Sequence, residues 1–497
     1  MLTRLRVKGF KNLMDVDVRF DQFTCIAGPN GAGKSNLFDA ITFLGDLASM
    51  PIMKAASRAR GTNGRISDFH SLFFKNAKGE FEPMLFVAEM IVPSAVTDDF
   101  DRLARPTATF LEYTLELRLS ETHADSSPDD PIFIEQEGLR AISSSDAAKH
   151  LGFLKPAAWI KKHISGPGKR TTPFIRTVPS DSDDTNSPPA IKLHSDQKGK
   201  KMGAPSLVPA RKSPQTVLSG VNSSTHPTAL AARREMRSWR LLQLEPSALR
   251  RFDNFGDDPH ITSTGEHLPG ALMRLNNYAE VSERLSNLLP DIVAVSVDAD
   301  EKRQVKTLLL TMKDKQTYTA SSLSDGTLRF LALAVLALDP KFGGLLCMEE
   351  PENGIHPSRI PQMLSLVRSL SEDVDETGAA QEAPVAASPI RQIIINTHSP
   401  LVVAELTDSE LLFAETLKMK AKAFVNFKPL PDTWRQVAMD GKNAELVTRG
   451  QLMSYLSGHA LRARTDVHQG LVGRFAYPAP AAIAGESTLD LFQQSKS

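Results

Sequence analysis

The chain has 497 residues, too many for one ordinary domain and enough for a large core with appended parts. Lysine plus arginine (58) equals aspartate plus glutamate (58), which excludes a global field for nucleic acid or anionic membrane and leaves only local patches. The longest strongly apolar run, Phe330 to Leu338, is too short to span a bilayer, and the first ten residues lack the apolar stretch of a signal peptide.

Two cysteines, Cys25 and Cys347, offer neither a disulfide framework nor zinc spacing, and both sit in apolar segments. The expectation is a soluble cytoplasmic protein with no membrane partner. In chain order, Leu5 and Val7, then Val16, Val18 and Phe20, alternate with polar residues, which predicts two half-buried strands joined at "KGFKN". The denser run Phe23 to Gly28 predicts a buried strand, and Leu37, Ile41 and Leu44 predict a helix from Ser35. "MLFVAEMIV" and "FLEYTLELRL" follow as an antiparallel pair. From about Ser165 to about Thr228 proline, serine, glycine and lysine dominate. Such a stretch buries too little apolar surface to offset its ordering entropy and is expected to be mostly disordered. "ALAARREMRSWRLLQL" then predicts a basic helix, followed by strands "DIVAVSVDA" and "KTLLLTM", an apolar helix Thr327 to Leu338, and strands "GLLCM" and "RQIIINTHSP". There are no sustained heptads and no internal repeats. Strands alternating with helices predict an α/β fold with a largely parallel core sheet.

"GPNGAGKS", Gly28 to Ser35, fits G-x-x-x-x-G-K-S/T between a strand and a helix. Gly28, Pro29, Asn30, Gly31, Ala32, Gly33 and on to Asn36 would wrap backbone N–H groups around phosphates at the positive end of the helix. Lys34 would reach the β- and γ-phosphates and Ser35 would hold Mg²⁺. A glycine turn with incidental Lys-Ser is the plain alternative, and the strand–loop–helix context argues against it.

"GLLCMEEPENGIHP" poses a second problem, because an apolar strand ends in two adjacent glutamates. Such carboxylates must be solvated, paired or bound to a cation. A strand that simply surfaces and turns at Pro351 would leave them solvated. With a phosphate loop in the same chain, the strand instead reads as a Walker B strand lying beside the P-loop strand. Glu349 would then bind Mg²⁺ through a water, and Glu350 would be the general base on the attacking water.

Leu323-Ser324-Asp325-Gly326-Thr327 resembles the signature motif of ABC-class ATPases, in the form used by the RecF/SMC-like branch; a plain helix N-cap is the competing reading. The resemblance implies ATP sandwiched in a homodimer, with Ser324 and the Gly326 amide binding the partner's γ-phosphate. Asn353, Gly354 and His356 resemble the D-loop that crosses that interface, and His398 resembles the switch histidine that contacts the γ-phosphate. The likeness covers about residues 1–120 and 235–415 and is closest to ATPases akin to the OLD and RecF proteins of DNA repair and phage defence. It implies a P-loop NTPase fold of ABC type, with an antiparallel β subdomain and a helical signature lobe beside the core sheet. The expected division is 1–120 and 235–430 for the two parts of the ATPase, 121–234 for an insertion and 431–497 for an extension. Glu349 stands where the family has Asp, Asp325 replaces a glycine, and no convincing Q-loop glutamine is visible, Gln136 being a poor candidate. The region between Walker A and signature lacks an SMC-type coiled coil, and no Toprim nuclease is expected after the switch histidine, so a nuclease or toxin effector would be a separate partner.

The leading expectation is ATP hydrolysis with Mg²⁺, acting on DNA or an effector protein. A nucleotide-gated scaffold with little hydrolysis, or the ATPase subunit of a transporter, are the alternatives; the split ATPase and the "KGFKN" opening speak against the transporter. Arg233, Arg234, Arg237 and Arg240, and Lys161, Lys162, Lys169 and Arg170, are candidate DNA contacts against the plainer reading of solvated faces. Leu489, Leu491 and Phe492 resemble the Leu-x-Leu-Phe peptide that docks on the replicative sliding clamp. The favoured alternative there is that the tail packs on the protein's own core.

Overall fold

A six-stranded sheet runs in the order Arg240–Leu242, Gly344–Glu349, Arg391–Thr397, Phe23–Ala27, Leu411–Met419, Lys422–Pro429. The first five strands are parallel and the last pair antiparallel. The computed structural model describes residues 1–60, 69–76, 78–120, 131–151, 155–166, 172–179, 189–196, 205–339, 342–371, 390–419, 422–438 and 445–457. Leu489, Leu491 and Phe492 lie outside the described residues, as do Lys169 and Arg170.

Both faces of the parallel part are buried, which explains the near-continuous apolar strands. Ile26, Leu345, Cys347 and Ile394 face the helix Lys34–Leu47 through Leu37, Phe38 and Ile41. Cys25, Ala27, Leu346, Met348, Ile393 and Ile395 pack on the opposite side with the helices Asp325–Leu338 and Ile360–Ser369. The period-2 alternation of a strand thus divides one sheet between two cores. One expectation is corrected here: the strand Gly344–Glu349 does not lie beside the P-loop strand. Arg391–Thr397 intervenes, buried at every position, and the Gln392 carboxamide exchanges 2.7 Å hydrogen bonds with the backbone N–H and C=O of Leu2. That pairing lets a polar side chain sit in a central strand without an unsatisfied group.

The second sheet is antiparallel and eight-stranded, in the order Ser206–Pro209, Ala190–Leu193, Ile175–Val178, Ile132–Ala141, Phe110–Leu119, Met84–Ile91, Leu2–Phe10, Leu13–Arg19. Phe10 stacks on Phe43 of the helix Lys34–Leu47 and meets Phe86 edge-on, each at 5.6 Å between centroids, so this sheet clamps the helix from outside. Three of its strands fall within the stretch expected to be mostly disordered, which is a correction for the described part of that stretch. "IRTV", "AIKL" and "SLVP" are too short to stand out from their polar flanks, but each borrows a partner edge, and Phe174, Ile175 and Ile191 are buried. A third, four-stranded sheet, built on the antiparallel pair Ile292–Asp300 and Val305–Met312, packs with the helices Leu268–Leu275, Tyr278–Leu288 and Asp325–Leu338 as a lobe. Among the described residues no helix is long and apolar enough to cross a membrane.

Wholly buried Glu137 locks the segment Thr216–Gly220 onto the antiparallel sheet. Its Oε2 accepts the Val217 N–H at 2.7 Å, and Oε1 accepts the Leu218 N–H at 2.9 Å and the Tyr113 hydroxyl at 3.1 Å. Burial outweighs these donors and pushes its carboxyl up to about 7. The folded state therefore binds a proton more tightly than the unfolded chain, so this group's contribution is complete below the usual carboxyl range and is lost as pH rises toward 7. Relative to Glu137→Gln, the wild type should lose roughly 3 kcal/mol between pH 4 and pH 8. Parallel denaturant titrations of the two proteins across that range would show it.

Candidate nucleotide-binding and active site

Three parallel strands end at one level: Glu349 pairs with Asn396, Asn396 with Ile26, and Thr397 with Ala27. Their C-terminal ends therefore present the acid pair, the Asn396–Ser399 loop and the glycine loop on one edge, the place where open α/β sheets bind ligands. The glycine loop is fitted closely. Gly33 has φ +98° and caps the helix Lys34–Leu47, and a Cβ there would sit 2.5 Å from Asn12 Nδ2. A Cβ on Gly28 would meet the Ala414 carbonyl oxygen at 2.3 Å. Asn36 Nδ2 donates to Asn12 Oδ1 at 2.7 Å, so the "KGFKN" turn braces the loop from outside. Lys34 curls back, its Nζ donating to the Gly28 and Pro29 carbonyls at 2.6 and 2.9 Å. Burial lowers its ammonium pKa despite the nearby Glu350 and Glu352 carboxylates.

The two glutamates point into the same site because the chain bends between them. Glu349 is the last residue of its strand, and Glu350 has φ +45°, the left-handed region that a glutamate rarely adopts. Its N–H meets both the carbonyl and the Oδ1 of Asn396 at 3.1 Å, which holds this conformation. Glu350 Oε1 lies 2.7 Å from His398 Nδ1, and Oε2 accepts from Asn353 Nδ2 at 2.8 Å. Glu349 is gripped differently. Arg60 binds both its oxygens, at 2.9 and 3.0 Å, while its Nε reaches Asp39 at 2.7 Å. Gln243 Nε2 donates to Glu349 at 2.6 Å, and the Ser35 hydroxyl also hydrogen-bonds it. Burial alone would raise the Glu349 carboxyl, but these donors hold it below its usual value.

Lys34, Ser35, Asn36, Glu349, Glu350 and Asn353 thus surround one cavity of about 610 Å³. Asn30, Gly31, Ala32 and Gly33 line it, as do Gln243 and Arg329. His398 joins through Glu350. Ser324 and Gly326 do not line it: Ser324 is exposed and caps its own helix, accepting the Thr327 N–H at 3.2 Å. His356 is likewise exposed and caps the next turn through Ser358. Asp325 adds no free negative charge to the signature, because Arg250 pairs with it at 2.5 Å.

The glutamine beside Glu349 is Gln243, not Gln136, which faces Glu116 in the antiparallel sheet. The available signal was "RLLQ", a short apolar strand ending in a carboxamide; it was obscured by the helical reading of that stretch. The expected basic patch is also dispersed. Arg233 is buried against the Ala48 and Val221 carbonyls and Arg234 pairs with Asp99, leaving Arg237 and Arg240 exposed. Lys161 and Lys162 are exposed. Away from the cleft, Asp253, Asp257 and His267 bring ligand atoms within 4.8 Å of one another, a cluster that sequence spacing does not reveal. Two of its carboxylates serve the fold, Asp253 accepting the Gly270 N–H and Asp257 the Asn254 N–H.

Two families match the chain. Residues 1–60 match the "RecF/RecN/SMC N terminal domain", and residues 193–404 match the family described as "AAA domain, putative AbiEii toxin, Type IV TA system". The chain is 34% identical over 120 residues to the chromosome partition protein Smc of Myxococcus xanthus, covering 24% of this chain and 9% of that protein. It is 50% identical over 48 residues to the OLD nuclease of Thermus scotoductus, covering 10% and 9%. The aligned stretches thus span less than a tenth of either relative. Among solved structures, an SmcHead bound to the C-winged helix domain of ScpA aligns at 13% identity and TM-score 0.43, over 86% of this chain and 98% of that one.

Arg60 ties the helix Lys34–Leu47 to the end of the strand Gly344–Glu349 through the Asp39 and Glu349 carboxylates. It is 41% exposed, so Arg60→Gln should cost no more than about 1 kcal/mol of folding stability. The same change should raise the pKa of the Glu349 carboxyl, which loses its bidentate partner; a carbon-13 NMR titration of that carboxyl checks it. The two matched segments are the ones that fold around this cavity, and the chain carries an ABC-type ATPase head of the RecF/SMC/OLD-like branch.

Proposed function

We propose that the chain binds and hydrolyses ATP, with Lys34 on the β- and γ-phosphates and Glu350 as general base. The observation that carries this reading is the pair Glu350–His398 beside a phosphate loop in one cavity. The residues suit the nucleotide: the first N–H groups of the helix Lys34–Leu47 have no intrahelical partners, and Gly31, at φ +77°, leaves open space where a side chain would stand. They also suit Mg²⁺, since the Ser35 hydroxyl and Glu349 carboxylate are hard oxygen donors already in mutual contact. When bound, Mg²⁺ would neutralise charge on the phosphate oxygens. Lys34 would exchange the Gly28 and Pro29 carbonyls for phosphate. Glu350, held at both oxygens, would take the proton of the attacking water while His398 keeps its carboxylate oriented. Gln243 is well placed to hold Glu349 in position.

In this reading Ser324 and the Gly326 amide serve the nucleotide of a second copy, because Ser324 is exposed and lies outside its own cavity. ATP would then join two heads, and the consequence would be movement transmitted to DNA or to an effector protein, a nuclease or toxin. The likeness to a chromosome partition protein Smc and to an OLD nuclease supports a DNA-related role; its assignment to repair or phage defence in the cytoplasm is part of the proposal. One observation favours the second reading, a nucleotide-gated scaffold: Arg60 and Gln243 engage both oxygens of Glu349, so a metal there competes with protein donors.

Glu350→Gln should bind ATP as the wild type does and turn it over roughly a hundredfold more slowly. Lys34→Ala should weaken binding about tenfold or more as well. Equal turnover in all three proteins, measured by phosphate release, would remove the assignment, and negligible turnover by a wild type that binds ATP would favour the scaffold. Glu350→Gln with ATP should also elute as a dimer on sizing, and adding Ser324→Arg should return it to a monomer. An elution volume indifferent to ATP and to Ser324 would rule out the sandwich.

A further inference from the structure

Among the described residues, Arg329 is a cation without a hydrogen-bond or ion-pair partner. It stands in the second turn of the helix Asp325–Leu338 and lines the cavity together with Gly31–Ser35, Glu349 and Glu350. Its Nε is buried and makes no hydrogen bond, and among the described residues its guanidinium forms no ion pair. Burial lowers its pKa, against the fields of Asp325 and Glu352. Leaving an arginine so placed is costly, because a guanidinium is a rigid fork of five donors suited to carboxylate or phosphate.

The neighbouring acids are committed elsewhere. Asp325 pairs with Arg250. Glu349 is held by Arg60 and Gln243, and Glu350 by His398 and Asn353. Glu352 accepts from the Thr397 hydroxyl through Oε1, while its Oε2 is buried and unpaired, and burial pushes its carboxyl up. It is the one competing acceptor among these acids. Lys34, the cavity's other buried cation, is anchored on the loop side. A polyanion held in this cavity would have both Lys34 and Arg329 among its lining cations.

We propose that Arg329 binds the terminal phosphate of the nucleotide held by its own chain. This rests on the nucleotide reading above and adds to it a ligand contributed in cis by the helix whose N-cap, Ser324, serves the second copy. The one helix then contacts two nucleotides, its own through Arg329 and the partner's through Ser324. Occupancy of a chain's own site thereby sets the position of the cap it offers.

The test uses Glu350→Gln protein, so that ATP persists, and calorimetric titration with Mg·ATP and Mg·ADP. Adding Arg329→Gln should weaken ATP about tenfold or more and leave ADP within about twofold, because ADP lacks the phosphate in question. Arg329→Lys should recover part of the ATP affinity. The unliganded melting temperature should hold or rise, since a partly buried charge with an unsatisfied Nε is removed, and Glu352→Gln should leave the ATP-to-ADP preference intact. Equal loss of both nucleotides, no loss of either, or a Glu352→Gln that reproduces the Arg329→Gln pattern would overturn the proposal while leaving nucleotide binding standing. A parent that binds neither nucleotide would overturn both readings together.

Discussion

The site depends on the register of three parallel strands, Gly344–Glu349, Arg391–Thr397 and Phe23–Ala27. Parallel strands rise about 3.3 Å per residue, so a slip of one residue would move Glu349 off the level of Asn396 and turn it to the opposite face. The alternation of Leu345 and Cys347 into one core and Leu346 and Met348 into the other forbids that slip energetically. Each of these side chains would have to trade a fitted neighbour for a wrong one, at a cost of roughly 1–3 kcal/mol per residue. The apolar interior thereby sets where the polar chemistry occurs.

At the strand ends the polar groups satisfy one another instead of dissolving in water. Asn396 holds the Glu350 backbone by two acceptors, Glu350 holds His398 and Asn353, and Thr397 bridges Glu352 and the Ser399 N–H. A glutamate at φ +45° stores strain that only such an over-determined setting maintains. The opposed environments of the adjacent acids follow from their partners. Glu349 faces a guanidinium and two further donors that favour its charge, whereas Glu350 faces an imidazole and an amide beside the cavity.

Much of this was legible from sequence because the signals are local. A glycine loop between an apolar strand and an amphipathic helix declares itself within about twenty residues, and two acids after "GLLCM" cannot be core. Strand order was not legible, since Arg391–Thr397 takes the central place through contacts with Leu2 and Phe23, far away in sequence. Gln243, Arg60 and Arg329 were missed for the same reason: each belongs to the site by tertiary packing and carries no motif. The short strands within 165–228 were missed because composition averages over a window, while four-residue strands need only a partner edge and one or two buried side chains. Burial also inverted the meaning of a charge run, as Arg233 shows by satisfying backbone carbonyls in the interior.

The signature segment is mechanically joined to the acid pair within one chain. Gly326 packs so closely that a Cβ would stand 3.1 Å from the Gly354 carbonyl oxygen, and Gly354 itself, at φ +76°, closes the turn that follows Glu350 and Asn353. Arg250 fixes the same corner from the lobe, holding Asp325 and the Leu323 carbonyl at once. The Glu350 turn and the cap of the helix Asp325–Leu338 are therefore close neighbours across Gly326 and Gly354. Close-packed contacts of this kind transmit small shifts because they cannot deform continuously. The exposed Ser324 is thus rigidly referred to the acid pair of its own chain, even though it lies outside that chain's cavity.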